Sequence, residues 1–118
     1  MNQKLLFVLN DPPYGTERSY NALRLARLAA KEDSVDVRMF LFGDAAGCAL
    51  PDQKTPDGYY NIHRMLRDAI RRGAEVGVCG ACLDARGLQN IELAEGAQRS
   101  TMDALTEWTL WADKVIVF

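Results

Sequence analysis

The chain switches repeatedly between two apolar periodicities. "KLLFVLN" (4–10) is a nearly unbroken apolar run of strand formers, ended by Asp11-Pro12-Pro13. Such a run predicts a strand covered on both faces, as in a parallel sheet. "ERSYNALRLARLAAK" (17–31) changes period. Ala22, Leu25, Ala26 and Ala29 share one face at helical spacing, with Glu17, Arg24, Arg27 and Lys31 opposite. "VDVRMFLFG" (35–43) predicts a second strand, alternating at first and then continuously apolar.

Residues 44–58 carry Gly47, Gly58, Pro51, Pro56 and several Asp, which predicts a long loop with one helical turn. Loops of that length in a compact domain are usually functional or interfacial. "YYNIHRMLRDAIRRG" (59–73) predicts a helix with Ile62, Met65, Leu66, Ala69 and Ile70 as its buried stripe and Gly73 as its C-terminal stop. "AEVGVC" (74–79) predicts a third strand, and "ACLDARG" a short helix closed by Gly87. Residues 88–99 carry no clear signal. Ser100-x-x-Asp103 resembles a capping box opening a helix that runs to about Ala112, and "KVIVF" (114–118) predicts a last buried strand. Strands alternating with helices predict an α/β sandwich around a mostly parallel sheet, with residues 1–118 as a single domain.

The last helix is unusual. Ala104, Leu105, Trp108, Leu110, Trp111 and Ala112 leave only a narrow polar stripe at Asp103, Thr106 and Glu107. Deep burial would explain this, but two tryptophans on so short a helix exceed what one sheet face covers. A partner surface is the preferred reading, because interface cores are rich in aromatic residues.

Composition narrows the function. A chain of 118 residues, 48% hydrophobic and 25% charged, has the profile of an ordinary globular core. A net charge of −2 argues against direct nucleic-acid binding. No apolar run approaches the roughly 18 residues needed to cross a bilayer, and the N-terminus has no small-residue cleavage site. The expected location is the cytoplasm, where thiols stay reduced, and an odd count of three cysteines fits.

Cys79 and Cys82 are the candidate chemistry. Cys79 ends a predicted parallel strand, where catalytic groups of open α/β sheets gather. A helix starts just after it, and Gly80 permits a tight turn and close approach. Backbone N–H groups there, with Arg86 nearby, would favour a thiolate. Asp44 and Asn10, at the ends of the second and first strands, are placed to line the same edge. Three other readings stand beside a nucleophile. One makes the pair inert core residues, as free cysteine often is. A dithiol couple fits the helix start but lacks a proline anywhere beyond Pro56. Zinc would need Cys48, Cys79, Cys82 and His63, and His63 falls on a helix's polar face. No metal and no bound cofactor are expected.

"YGTERSYNALRLA" (14–26), "CGACLDARGL" (79–88) and "LTEWTLWADKVIVF" (105–118) together resemble the DsrE/DsrF-like family across essentially the whole chain. The resemblance implies a three-layer α/β/α sandwich, flavodoxin- or Rossmann-like. In sulfur-relay members the cysteine ending that strand, seven residues before an Arg-Gly, carries a persulfide. Cys79 with Arg86-Gly87 matches, while Cys82 departs from that motif. The resemblance therefore implies a sulfur carrier or sulfurtransferase in which Cys79 takes sulfane sulfur from a protein donor and passes it to a protein acceptor. Cys82 would release it through an internal disulfide. It also implies a homo-oligomer, a trimer or hexamer. The alternative is a non-catalytic oligomeric module whose Cys79/Cys82 pair is structural or redox-sensing.

Overall fold

The computed structural model describes residues 1–118 and places five strands in one sheet. In chain order these are β1 (Gln3–Leu9), β2 (Val35–Leu41), β3 (Glu75–Cys79), β4 (Ala97–Ser100) and β5 (Lys114–Val117). They lie in the order β4-β3-β2-β1-β5, and every neighbouring pair is parallel. Helices α1 (Arg18–Ala30), α2 (Ile62–Arg71), α3 (Gly80–Ala85) and α4 (Met102–Trp111) and a 3-10 helix at Gly43–Ala49 fill the connections. The α/β sandwich expected from the alternating pattern is present, with a wholly parallel sheet.

Topology explains how the helices divide. From β1 to β4 each connection steps the same way along the sheet, and the last connection returns across all of it to β5. Parallel crossovers are right-handed, so reversing direction moves the connecting helix to the other face. Accordingly α1, α2 and α3 pack on one face through Ala22, Leu23, Ala26, Ile62, Leu66 and Leu83. Helix α4 lies alone on the other, through Leu105, Trp108 and Ala112. The return spans four strand spacings, about 19 Å. The ten residues of α4 reach about 15 Å. One short helix cannot cover that face.

The two cores differ accordingly. The α1–α2 face holds a cluster of 20 buried residues, whereas the α4 face holds three: Leu6, Phe40 and Cys79. The mixed pattern of β2 records the same asymmetry. Val37, Met39 and Leu41 point into the larger core. Of the residues facing the other way, Phe40 and Phe42 sit in the smaller cluster. Arg38 lies beyond it, paired with Glu75 at 3.3 Å.

Several expectations need correction. On α1 the buried face is Ser19, Ala22, Leu23 and Ala26, and Leu25 is exposed. Positions 19, 22, 23 and 26 form one continuous helical stripe, and Leu25 lies off it. The last strand is not buried on both faces: β5 is an edge, and Val115 and Val117 stand open on the α4 side. Strand β4, "AQRS", lies where the sequence gives no signal, because a short polar edge strand has neither period. Helix α4 is capped by Thr101, whose Oγ1 accepts the Ala104 N–H at 3.2 Å, while Ser100 ends β4. The predicted loop begins with a 3-10 helix that buries Ala45, Ala46, Cys48 and Ala49. Gln53 pins the chain beyond that helix, donating to Leu50 O at 2.9 Å and accepting from Tyr14 Oη at 2.7 Å.

Tertiary packing also changes the account of the tryptophans. Trp108 meets Phe40 edge-on at 6.2 Å, and the Arg38 guanidinium lies 3.9 Å from the centre of the Trp111 ring. Both rings are therefore half-covered by their own chain. The open apolar groups of α4 are Leu110, 83% exposed, and Met102. They flank a shallow groove of about 200 Å³ that also includes Leu105, Thr106 and Thr109.

Candidate active site

Cys79 closes β3 and is the N-cap of α3. Its side chain faces the smaller core beside Leu6 and Phe40, and only 8% of the residue is exposed. Its Sγ accepts the Cys82 N–H at 3.3 Å. The same three-residue spacing brings the Cys82 side chain against it, since i and i+3 share a face in the first helical turn. Both cysteines are free thiols, Cys79 buried and Cys82 half-buried.

Cys79 is not the activated thiolate that its helix-start position suggested. Burial pushes its thiol up, and the neighbouring Cys82 adds to this, against the opposing pull of the Cys82 backbone N–H. Desolvation disfavours the charged form, and one amide does not outweigh it. The balance favours the neutral thiol over the thiolate. Cys48 is further removed from reactivity: burial in the larger core pushes it up to about 12.

Gly43, just after β2, donates its N–H to Cys82 Sγ at 3.1 Å. Its φ of 52° lies in the left-handed region, where glycine is favoured. The next residue, Asp44, pairs with Arg86: Oδ1 accepts from Nη2 at 2.7 Å and from Nε at 3.1 Å. Arg86 Nη1 donates to Cys82 O at 3.0 Å. The guanidinium thus ties the loop after β2 to α3, and none of its hydrogen bonds goes to Cys79. Asn10 serves a neighbouring task. Its Nδ2 donates to Phe118 O at 3.1 Å, holding the C-terminal residue beside β1.

Arg99 is the charged neighbour that sequence reasoning missed, because β4 carries no period of its own. Its guanidinium lies across Gly80, where an added Cβ would stand 2.9 Å from Nε and 3.0 Å from Cζ. The close approach expected at Gly80 is therefore made by Arg99. Asp84 accepts from Arg99 Nη2 at 2.8 Å, and this partner holds the Asp84 carboxyl below its usual range. A charge on Cys79 also favours the protonated Arg99.

The residues considered for zinc do not come together. Cys48 belongs to the 3-10 helix and points into the larger core, near Asp11 O. His63 lines a separate surface cleft with Asp52, Arg67 and Glu92. No three His, Cys, Asp or Glu side chains converge to hold a metal ion anywhere in the chain. A cavity of about 250 Å³ beside β4, lined by Gly77, Gln98, Arg99, Ser100 and Trp108, includes neither cysteine. It offers the Ser100 hydroxyl but no thiol.

No helix is long and apolar enough to cross a membrane. Among known proteins, the chain is 41% identical over 117 residues to Protein YchN of Escherichia coli, covering 98% of this chain and 99% of that one. It is 38% identical over 115 residues to an uncharacterized protein of Methanocaldococcus jannaschii, covering 98% and 99% respectively. The crystal structure of the ychN protein from E. coli superposes with a TM-score of 0.92, covering 98% of this chain and 99% of that one. The profile of the DsrE/DsrF-like family matches residues 3–118, and the chain belongs to that family.

Proposed function

We propose that this chain is a sulfur carrier of the sulfurtransferase type, with Cys79 holding a sulfane sulfur as a persulfide. The Cys79 sulfur, giving up its thiol proton, attacks the terminal sulfur of a persulfide presented to it, and the new S–S bond forms. The S–S bond of that persulfide breaks, and its inner sulfur leaves as a thiolate that takes up the proton. An acceptor thiolate later repeats the step in the outward direction, so no oxidant is consumed. The observation that carries this reading is the position of Cys79, capping a helix at the carboxyl end of a parallel strand with a second thiol against it. Burial suits storage, because a persulfide shielded from solvent is protected from stray thiols.

Donor and acceptor would be proteins of the cytoplasm. The assembly would be a homo-oligomer, a trimer or hexamer, built on the open apolar groups Met102, Leu110, Val115 and Val117 and not on the tryptophans. The test is intact-mass spectrometry after incubation with glutathione persulfide. The carrier reading expects the mass of one extra sulfur, mapped to Cys79 and removed by a thiol acceptor. A protein that gains only a Cys79–Cys82 disulfide, or nothing, is instead the redox-sensing or structural module.

A further inference from the structure

Cys82 has no task in a one-cysteine carrier, yet its surroundings are those of a reacting sulfur. It is the more open of the two thiols. Its Sγ receives a backbone N–H from Gly43 at 3.1 Å. That amide is held in place from both sides, because Arg86 grips Asp44 next to Gly43 and the carbonyl of Cys82 itself. A fixed N–H aimed at sulfur stabilises negative charge there, whether the thiolate is attacking or leaving. Cys79 is nearly closed to solvent under α4, so a persulfide carried by another protein reaches Cys82 first.

Resting on the reading of Cys79 as the carrier, we propose that sulfur arrives on Cys82 and moves inward to Cys79, and leaves by the reverse path. In the first step the Cys82 thiolate attacks the terminal sulfur of the donor R–S–SH. The Cys82 S–S bond forms, the donor's S–S bond breaks, and R–S⁻ departs. In the second, the Cys79 sulfur attacks the terminal sulfur of that persulfide. The S–S bond to Cys82 breaks, and Cys82 leaves as a thiolate under the Gly43 N–H. The proton given up by the Cys79 thiol ends on Cys82. Sulfur and electrons balance with no added reagent. Attack on the inner sulfur would instead release HS⁻ and leave a Cys79–Cys82 disulfide, discharging the carrier.

The experiment loads the intact protein and its Cys79→Ser, Cys82→Ser and Cys82→Ala variants with glutathione persulfide, blocks thiols at set times, and maps the sulfur by peptide mass. The relay expects Cys79→Ser to hold sulfur on Cys82. Both Cys82 variants should load Cys79 at least tenfold more slowly, and the unaltered chain should end with sulfur on Cys79. Agreement of the serine and alanine variants shows that loss of the thiol, not of folding, is responsible. Sulfur on Cys79 of the unaltered chain, with Cys79→Ser bare or the Cys82 variants loading at the normal rate, overturns the relay and leaves the carrier intact. Release of HS⁻ with disulfide formation overturns the relay as well. A chain that takes no sulfur at either cysteine overturns both.

Discussion

The two faces of this sheet are built to different standards. On one, three helices and a 3-10 helix enclose 20 buried residues. On the other, a single ten-residue helix with no buried residue of its own covers three. Each face holds cysteine. Cys48, within the thick layer on its 3-10 helix, has no exposure and is pushed up to about 12 by burial. Cys79, under the thin layer, keeps a little exposure and an adjacent thiol that opens to solvent. The same residue type is packing material on one side and candidate chemistry on the other. What separates them is how thickly each face of the sheet is packed.

The largest test of that contrast is mutational. Leu66→Ala empties a fully buried site on the thick face and should cost about 3–4 kcal/mol in urea denaturation. Leu105→Ala, half-buried on the thin face, should cost about 1 kcal/mol. Equal losses would break the comparison.

Alkaline titration comes next. The Cys48 thiol stands at about 12 when folded against 9.0 for the unperturbed group. Below pH 9 both states keep the proton and the contribution is full. Above it the unfolded chain alone ionises, so stability falls as pH rises toward 12, by about 3 kcal/mol at pH 11. Cys48→Ala should flatten that decline in pH-dependent unfolding, and Cys79→Ser should flatten it less. A decline unchanged by Cys48→Ala would mean the thick face is wetter than its packing implies.

Smaller effects probe the thin face itself. Arg38→Ala removes the guanidinium stacked on Trp111, which should cost about 0.5–1 kcal/mol and shift tryptophan emission to the red. An unshifted spectrum would show that another group covers the ring. Leu110→Lys should leave monomer stability within about 0.5 kcal/mol, since that side chain touches little. It should nonetheless lower the assembly size seen by light scattering. An unchanged size would remove the α4 face from the proposed interface.

The site shows where sequence and tertiary structure divide the information. Cys79 at a strand end, with Cys82 one turn on, was legible because both facts are local. The role of Arg86 was not. Proximity in sequence pointed it at the Cys79 anion, but its fork is taken by Asp44, 42 positions away, and by a carbonyl of its own helix. Arg99 was invisible for a related reason. It lies on a four-residue polar strand, and an edge strand exposed to solvent needs no apolar period.

By itself the sequence determined the alternation of strands and helices, the parallel sheet, and the presence of thiols at a carboxyl-end edge. Period and strand propensity act over a few residues, so they survive without knowledge of neighbours. Only the tertiary structure decided strand order, and with it which face stays thin. "KVIVF" and "KLLFVLN" look alike as apolar runs, yet β5 became an edge and β1 an interior strand. The last crossover runs back over the sheet to set β5 outside β1, and its right-handedness sends α4 alone across a face wider than it can cover. The consequence is chemical: it leaves Cys79 beneath one helix, with Cys82 at the opening.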